Sequence, residues 1–163
     1  MVWRVCSGQD RNEVIGFLTE MDREISPPVS TFPGGLGGVV DLFLKKGKIL
    51  IAEYKTKPVG LLGYCLGEPS TDYCDSSVGY IYLTILHPEY RGKPSISKEL
   101  LKRVTKEMEI DGVKEVRFKA YKDNEYTTEL YSKLAKPVRE ELNTQGKLCV
   151  LYGVDLKEWK ERF

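Results

Sequence analysis

The sequence has one histidine, no Cys-x-x-Cys pair and almost no net charge. None of its four cysteines, Cys6, Cys65, Cys74 and Cys149, has a histidine nearby. We therefore expect reduced cysteines and no metal site. Lys and Arg together number 25 against 24 for Asp and Glu, so the basic excess that broad nucleic-acid binding needs is missing. We expect no nucleic-acid partner.

Long apolar runs are missing as well. No segment approaches the roughly 20 apolar residues that cross a bilayer. The segment Met1–Val5 carries charge too early, and has too little apolar length, for a signal peptide. These absences predict a cytoplasmic protein with no membrane contact. Hydrophobic and charged residues make up 41% and 30% of 163 residues, which fits a single globular domain over residues 1–163.

The chain does contain alternating strand and helix patterns. Its first part predicts a strand, a helix, an irregular loop over Ser26–Gly38, a short helix and an antiparallel hairpin. The next segment, Glu68–Ser77, predicts a polar loop whose acidic side chains could attract a cationic amine, although a solvated loop is favoured. Strand, helix, strand, helix and a closing strand pair follow. This order predicts an α/β fold with a mixed sheet, helices on both faces and one parallel strand pair.

The most informative segment runs from Tyr80 to Leu101. An apolar strand, Tyr80–Leu86, leads into the basic turn His87–Lys93, and a helix begins near Ser95. Backbone N–H groups at a helix start have no acceptor within the helix, and the helix dipole adds partial positive charge there. The segment therefore predicts a site for the phosphate groups of a nucleotide or coenzyme.

Two segments together resemble the GNAT superfamily of acyl-CoA-dependent N-acyltransferases. Leu86–Lys93 is similar to the strand exit and the start of the family's Arg/Gln-x-x-Gly-x-Gly/Ala pyrophosphate loop. Asn124–Ala135 is similar to the family's Asn…Ala…Leu-Tyr-x-Lys-Leu-Gly-Phe helix. The two occur in the expected order, separated by one helix and one strand, and the resemblance extends over roughly Trp3–Val154. It implies a GNAT-like fold, with a mostly antiparallel central sheet and the parallel strand pair in its middle.

The resemblance implies acetyl-CoA as cosubstrate, no metal, and a primary amine of a small molecule or protein as acceptor. The main-chain groups implied for the thioester and the pantetheine arm are those of Leu83, Thr84, Ile85 and Leu86. The residues implied for the pyrophosphate are Arg91, Gly92, Lys93, Pro94, Ser95, Ile96 and Ser97. Further coenzyme contacts are implied for Asn124 and Tyr131. The oligomeric state stays open, although family members are often homodimers.

Tyr131 is the expected general acid. A phenol has an ordinary pKa of about 10, so it is protonated at neutral pH and can donate to the departing thiolate. The same side chain could be a half-buried aromatic residue, and the motif favours the catalytic interpretation. The general base stays open. The candidates are the strand position of Tyr80, and Glu53 or Tyr82 acting through water. No strong base is needed if the amine arrives neutral. The single histidine, His87, is a weaker candidate.

The pyrophosphate loop departs from the family pattern at Pro94 and Ile96, where glycines are expected. Glycines let the backbone approach the phosphates closely, whereas proline lacks an N–H and isoleucine adds bulk. Proline is tolerated in the first turn of a helix, and Ser95 and Ser97 could donate from their hydroxyls. The leading hypothesis is an N-acetyltransferase that acts by direct attack in a ternary complex. The alternatives are a catalytically impaired GNAT-fold module that binds or senses CoA and, less favoured, an unrelated phosphate-binding α/β protein.

Overall fold

A computed structural model describes residues 1–163, which divide into two compact units. Unit 1 comprises Met1–Cys65 and Leu83–Ile96, and unit 2 comprises Leu66–Tyr82 and Ser97–Phe163. The strands are β1 Val2–Val5, β2 Gly47–Tyr54, β3 Lys57–Leu66, β4 Val78–Leu86, β5 Glu115–Tyr121, β6 Lys136–Leu142 and β7 Leu148–Asp155. The helices are α1 Arg11–Met21, α2 Gly35–Lys46, α3 Pro94–Ile110, α4 Glu125–Leu134 and α5 Leu156–Glu161. No helix is both long enough and apolar enough to span a membrane.

The strands form one mixed sheet in the order β1-β2-β3-β4-β5-β7-β6, with helices on both sides. The one parallel ladder joins β4 to β5, from Val78 opposite Glu115 to Ile81 opposite Phe118. The predicted fold class is therefore confirmed, including the parallel pair around the helix that follows β4. The crossover through α3 is the connection that such a pair requires.

Unit 1 is built on the antiparallel strands β1, β2 and β3, with α1 and α2. The buried residues of α1 are Val14, Phe17, Leu18 and Met21, as its helical period predicts. The prediction of an irregular Ser26–Gly38 loop is wrong at its end, because α2 already begins at Gly35. Burial of Val39, Val40 and Phe43 outweighs the low helix propensity of the glycines in its first turn.

Unit 2 contains the antiparallel ladders β5–β7 and β6–β7, together with α4, α5 and most of α3. The apolar face of α3 buries Leu100, Val104 and Met108. Helix α5, which the sequence patterns do not predict, buries Trp159, and its indole Nε1 donates to Thr105 Oγ1 at 3.0 Å. This hydrogen bond satisfies the polar atoms of two buried side chains and so attaches α5 to α3.

Candidate active site

The end of β4 presents main-chain groups beyond the parallel ladder. The ladder involves only Val78–Ile81, whereas the strand continues to Leu86. Leu83 and Ile85 are buried, and Thr84 points to the exposed side of the strand. The N–H of His87 donates to the carbonyl of Val59 at 2.8 Å, which fixes where the strand ends.

The basic turn connects β4 to α3 through a short 3-10 helix, Pro88–Tyr90. Gly92 has φ +72°, a conformation that favours glycine, and a Cβ placed there would meet no atom within 4 Å. Helix α3 begins at Pro94, whose missing N–H costs the helix nothing at its first position. The N–H of Ile96 donates to the carbonyl of Lys93 at 3.1 Å. The side chains of Ser95 and Ser97 are exposed, and that of Ile96 is half-buried.

The two cations of the turn have contacts inside unit 1. The Nε of Arg91 donates to the carbonyl of Leu86 at 2.8 Å, and its Nη1 donates to Glu24 Oε2 at 3.0 Å. The Nζ of Lys93 lies 5.2 Å from the centroid of the Tyr90 ring, within cation–π range. Arg91 is therefore held with its guanidinium beside the turn rather than extended into solvent.

Tyr131 and Asn124 both belong to α4 in unit 2. Asn124 is the N-cap, and its side-chain oxygen accepts a hydrogen bond from the N–H of Thr127 at 3.1 Å. Tyr131 is half-buried, and its ring lies edge-on to those of Phe118 and Tyr152. Burial, with a smaller contribution from Tyr152, raises the pKa of the Tyr131 phenol above its usual value of 10. This shift keeps the phenol protonated, as a proton donor requires.

The two candidate bases lie in different surroundings. Glu53 on β2 is bound to Arg4 by a charge-assisted hydrogen bond, and Arg4 also pairs with Asp10 and Glu13. Tyr80 is only 5% exposed, and its ring is edge-on to that of Tyr82 at 5.8 Å. To accept a proton, Glu53 would have to give up an ion pair, and Tyr80 would first have to ionise.

A charged cluster in unit 2 was not predicted. Glu68 precedes the turn after β3, where a solvated loop is the expectation, yet it is only 2% exposed. Its two carboxylate oxygens accept hydrogen bonds from Arg117 Nη1 and Arg139 Nη2, each at 2.9 Å. The solvated interpretation is therefore wrong for Glu68. Its two partners are distant in sequence, and no local pattern around Glu68 points to them.

The negative charge of Glu68 is balanced by an arginine at each carboxylate oxygen. Burial by itself would raise the pKa of the Glu68 carboxyl, but hydrogen bonds from Arg117 and Arg139 and their charges outweigh burial. The pKa is held below its usual range. Arg139 Nη2 also donates to Ser70 Oγ at 2.6 Å, so the cluster attaches the segment after β3 to β5 and β6. Its geometry is that of a structural clamp with its polar groups satisfied.

The fold and these local geometries define a class of α/β protein with a mixed sheet. In this class one strand leads through a basic turn into a helix, and a later helix carries a tyrosine. The model of the acetyltransferase (GNAT) family matches residues 38–135, which is more than half of the chain. The chain belongs to this family. The matched region includes the end of β4, the basic turn and Tyr131.

Solved structures support the fold. A GNAT-family acetyltransferase from Streptococcus pneumoniae superimposes with a TM-score of 0.68 at 13% identity, over 94% of this chain and 98% of that one. An aminoglycoside 6'-N-acetyltransferase solved with coenzyme A gives 0.69 at 13% identity, over 96% and 97%. The yncA protein of Salmonella typhimurium, a putative acetyltransferase solved with acetyl-CoA, gives 0.69 at 12% identity, over 96% and 94%. No curated protein matches the sequence significantly. No group of three or more His, Cys, Asp or Glu side chains is placed to hold a metal ion.

Proposed function

We propose that this protein is an N-acetyltransferase that transfers the acetyl group of acetyl-CoA to a primary amine by direct attack in a ternary complex. The observation that carries the proposal is the placement of Tyr131. It lies in the region matched by the family, on a capped helix, with its ring held by aromatic neighbours and the pKa of its phenol raised. The relatives solved with CoA or acetyl-CoA support the choice of cosubstrate.

In the proposed reaction the amine nitrogen attacks the thioester carbonyl carbon and an oxyanion develops. A main-chain N–H among Leu83, Thr84, Ile85 and Leu86 stabilises that oxygen, and the Arg91–Ser97 segment holds the pyrophosphate. When the C–S bond breaks, the Tyr131 hydroxyl donates its proton to the departing thiolate. As the amide forms, the amine nitrogen loses one proton to water, and the phenolate of Tyr131 regains one proton from water, so the protons balance over the cycle. Asn124 contributes a polar contact to the coenzyme while it caps α4.

For the base, we favour an amine that arrives neutral. The carboxylate of Glu53 is bound to Arg4, and Tyr80 is buried. Neither side chain is therefore available as a ready acceptor of a proton at neutral pH. The rate should then rise with pH as the free amine is deprotonated. The pH–rate profile should show no separate inflection from the titration of a carboxylate base.

The second candidate is a catalytically impaired GNAT-fold module that binds or senses CoA. It is favoured by Pro94, which brings no N–H to the first turn of α3, and by Ile96, whose N–H is directed to Lys93. Fewer free backbone N–H groups in the first turn of α3 should lower the affinity for a pyrophosphate. The two candidates share a coenzyme site and differ in whether a thiol is released.

Calorimetric titration with acetyl-CoA, followed by a thiol-release assay over a panel of small amines and N-terminal or lysine peptides, separates them. Binding with thiol release supports the enzyme. Binding without release on any amine supports the sensing module. No binding at near-millimolar acetyl-CoA rejects both. Sedimentation of the same sample tests whether the protein is a homodimer, which the family resemblance leaves open.

A further inference from the structure

A carboxylate of unit 1 contacts the side chain that the proposed function assigns to the pyrophosphate. Glu24 ends the 3-10 helix Asp22–Glu24 that follows α1, and its Oε2 lies 3.0 Å from Arg91 Nη1. The two side chains are 43% and 42% exposed, so a dissolved anion can reach the pair. The other side of the guanidinium is held by the carbonyl of Leu86. Arg91 is thus held beside the turn, and the Glu24 carboxylate occupies the position at Nη1 that a bound anion would take.

A second, longer contact follows the same spacing. Glu20 Oε1 lies 3.9 Å from His87 Nε2. Glu20 and Glu24 are four residues apart, as are His87 and Arg91, so the end of α1 and the turn after it direct two carboxylates at the basic turn. The contact at Arg91 is therefore part of a repeated arrangement between two segments rather than a single chance encounter of flexible side chains.

We propose that Glu24 is an internal competitor of the coenzyme's pyrophosphate for the guanidinium of Arg91. This inference rests on the proposed function. Carboxylate and phosphate oxygens both accept hydrogen bonds from guanidinium N–H groups, so a phosphate that takes the Nη1 of Arg91 has to displace the Glu24 carboxylate from it. A diphosphate carries more charge than one carboxylate and displaces it, but the free energy of the ion pair is subtracted from the affinity for the coenzyme. Removing the carboxylate should tighten coenzyme binding.

The size of the effect follows from the exposure of the pair. Exposed ion pairs in proteins correspond to factors of up to about five in an equilibrium constant. We therefore expect Glu24→Gln to lower the dissociation constant of dephospho-CoA by about two- to fivefold. Dephospho-CoA is the probe because it keeps the pyrophosphate and lacks the 3'-phosphate, so the gain reports on the pyrophosphate alone.

The experiment is a double-mutant cycle measured by calorimetry on the full chain, with Glu24→Gln, Arg91→Gln and both together. The matched control is Asp22→Asn, which removes a carboxylate from the same 3-10 helix; Asp22 bonds to Ser30. The proposal expects tighter binding for Glu24→Gln, no change for Asp22→Asn, and no gain from Glu24→Gln once Arg91 is replaced.

Three results would overturn it: equal affinity of the wild type and Glu24→Gln, an equal gain in Asp22→Asn, or a gain that persists without Arg91. Each of these leaves the proposed function standing, because the wild type still binds. Absence of binding in both the wild type and Glu24→Gln rejects the coenzyme site together with this inference.

Discussion

Tyr131 lies edge-on against Phe118, with the ring centroids 4.9 Å apart and the ring planes at 73°. Tyr152 makes a similar contact from another strand, at 5.8 Å and 68°. Edge-to-face contacts of this kind stabilise a ring in one orientation. The ring is thus held by the packing of unit 2, and the packing does not depend on the hydroxyl. Chemistry and stability at this position can therefore be tested separately.

The first prediction concerns Tyr131→Phe. It keeps the ring contacts and removes the proton donor, so the free energy of unfolding should change by less than about 0.5 kcal/mol. The turnover number should fall about 100-fold, the lower end of what general acid catalysis contributes. Thiol release measures turnover, and calorimetry with acetyl-CoA should show a nearly unchanged dissociation constant.

The matched control for that change is Tyr126→Phe. Tyr126 is on the same helix but 77% exposed, so losing its hydroxyl should alter neither turnover nor stability. Unchanged turnover in Tyr131→Phe would remove Tyr131 from the role of acid, even in an active enzyme.

The sequence predicts the local elements of this protein better than its contacts between distant residues. The strand Val78–Leu86, the helix start at Pro94 and the Asn124 cap follow from patterns of a few neighbouring residues, and the structure has them within one or two residues. Short elements such as α5 carry too few residues for a period to be visible.

Ion pairs between distant segments are beyond such patterns. Arg91 and Glu24 are 67 positions apart, and Arg139 and Glu68 are 71 apart. Each of these residues looks like an ordinary surface charge when its neighbours alone are considered. The roles assigned to Tyr131 and to the pyrophosphate loop remain predictions, because they depend on a bound coenzyme.

The second prediction is a titration. Burial raises the pKa of Tyr131, so the folded chain holds this proton more tightly than the unfolded chain does. The contribution of the protonated Tyr131 phenol to the free energy of unfolding is fully present below about pH 10, the pKa in the unfolded chain. It is lost as the pH rises through the pKa in the folded chain. The difference between the tyrosinate absorbance titrations of the wild type and Tyr131→Phe should therefore have its midpoint above pH 10. A midpoint below that value would contradict the burial argument.

The third prediction concerns Glu68→Gln. Removing this buried charge breaks two ion pairs and leaves Arg117 with only Glu115, and Arg139 with only Glu141, as counter-charge. Breaking a fully buried ion pair costs about 3–5 kcal/mol, and the partial exposure of the two arginines reduces the expected loss to about 2 kcal/mol. Urea denaturation at pH 7 measures it. The control is Asp72→Asn, an exposed residue of the same segment, for which no measurable loss is expected.

The loss should also depend on pH in a defined direction. The pKa of Glu68 is lowered in the folded chain, so its contribution is present above the unfolded value of about 4.3. It is lost as the pH falls through the folded pKa. The gap between the wild type and Glu68→Gln should therefore narrow in acid. A gap that stays constant down to pH 3 would show that the carboxylate's charge is not what stabilises the clamp.

The fourth prediction tests whether the pyrophosphate loop is limited by its proline. Pro94 is the first residue of α3, and Pro94→Ala adds one N–H at the end of the helix where an anion would bind. A hydrogen bond to a charged group is worth about 1.5–3 kcal/mol, so even a partly formed one should tighten acetyl-CoA binding about fivefold. Pro88→Ala is the matched control, because Pro88 is the first residue of the separate 3-10 helix Pro88–Tyr90 that precedes the turn. A gain confined to Pro94→Ala identifies the missing donor as the limit on affinity. Equal affinities in the wild type, Pro94→Ala and Pro88→Ala would show that the N–H missing at Pro94 does not limit the affinity for acetyl-CoA.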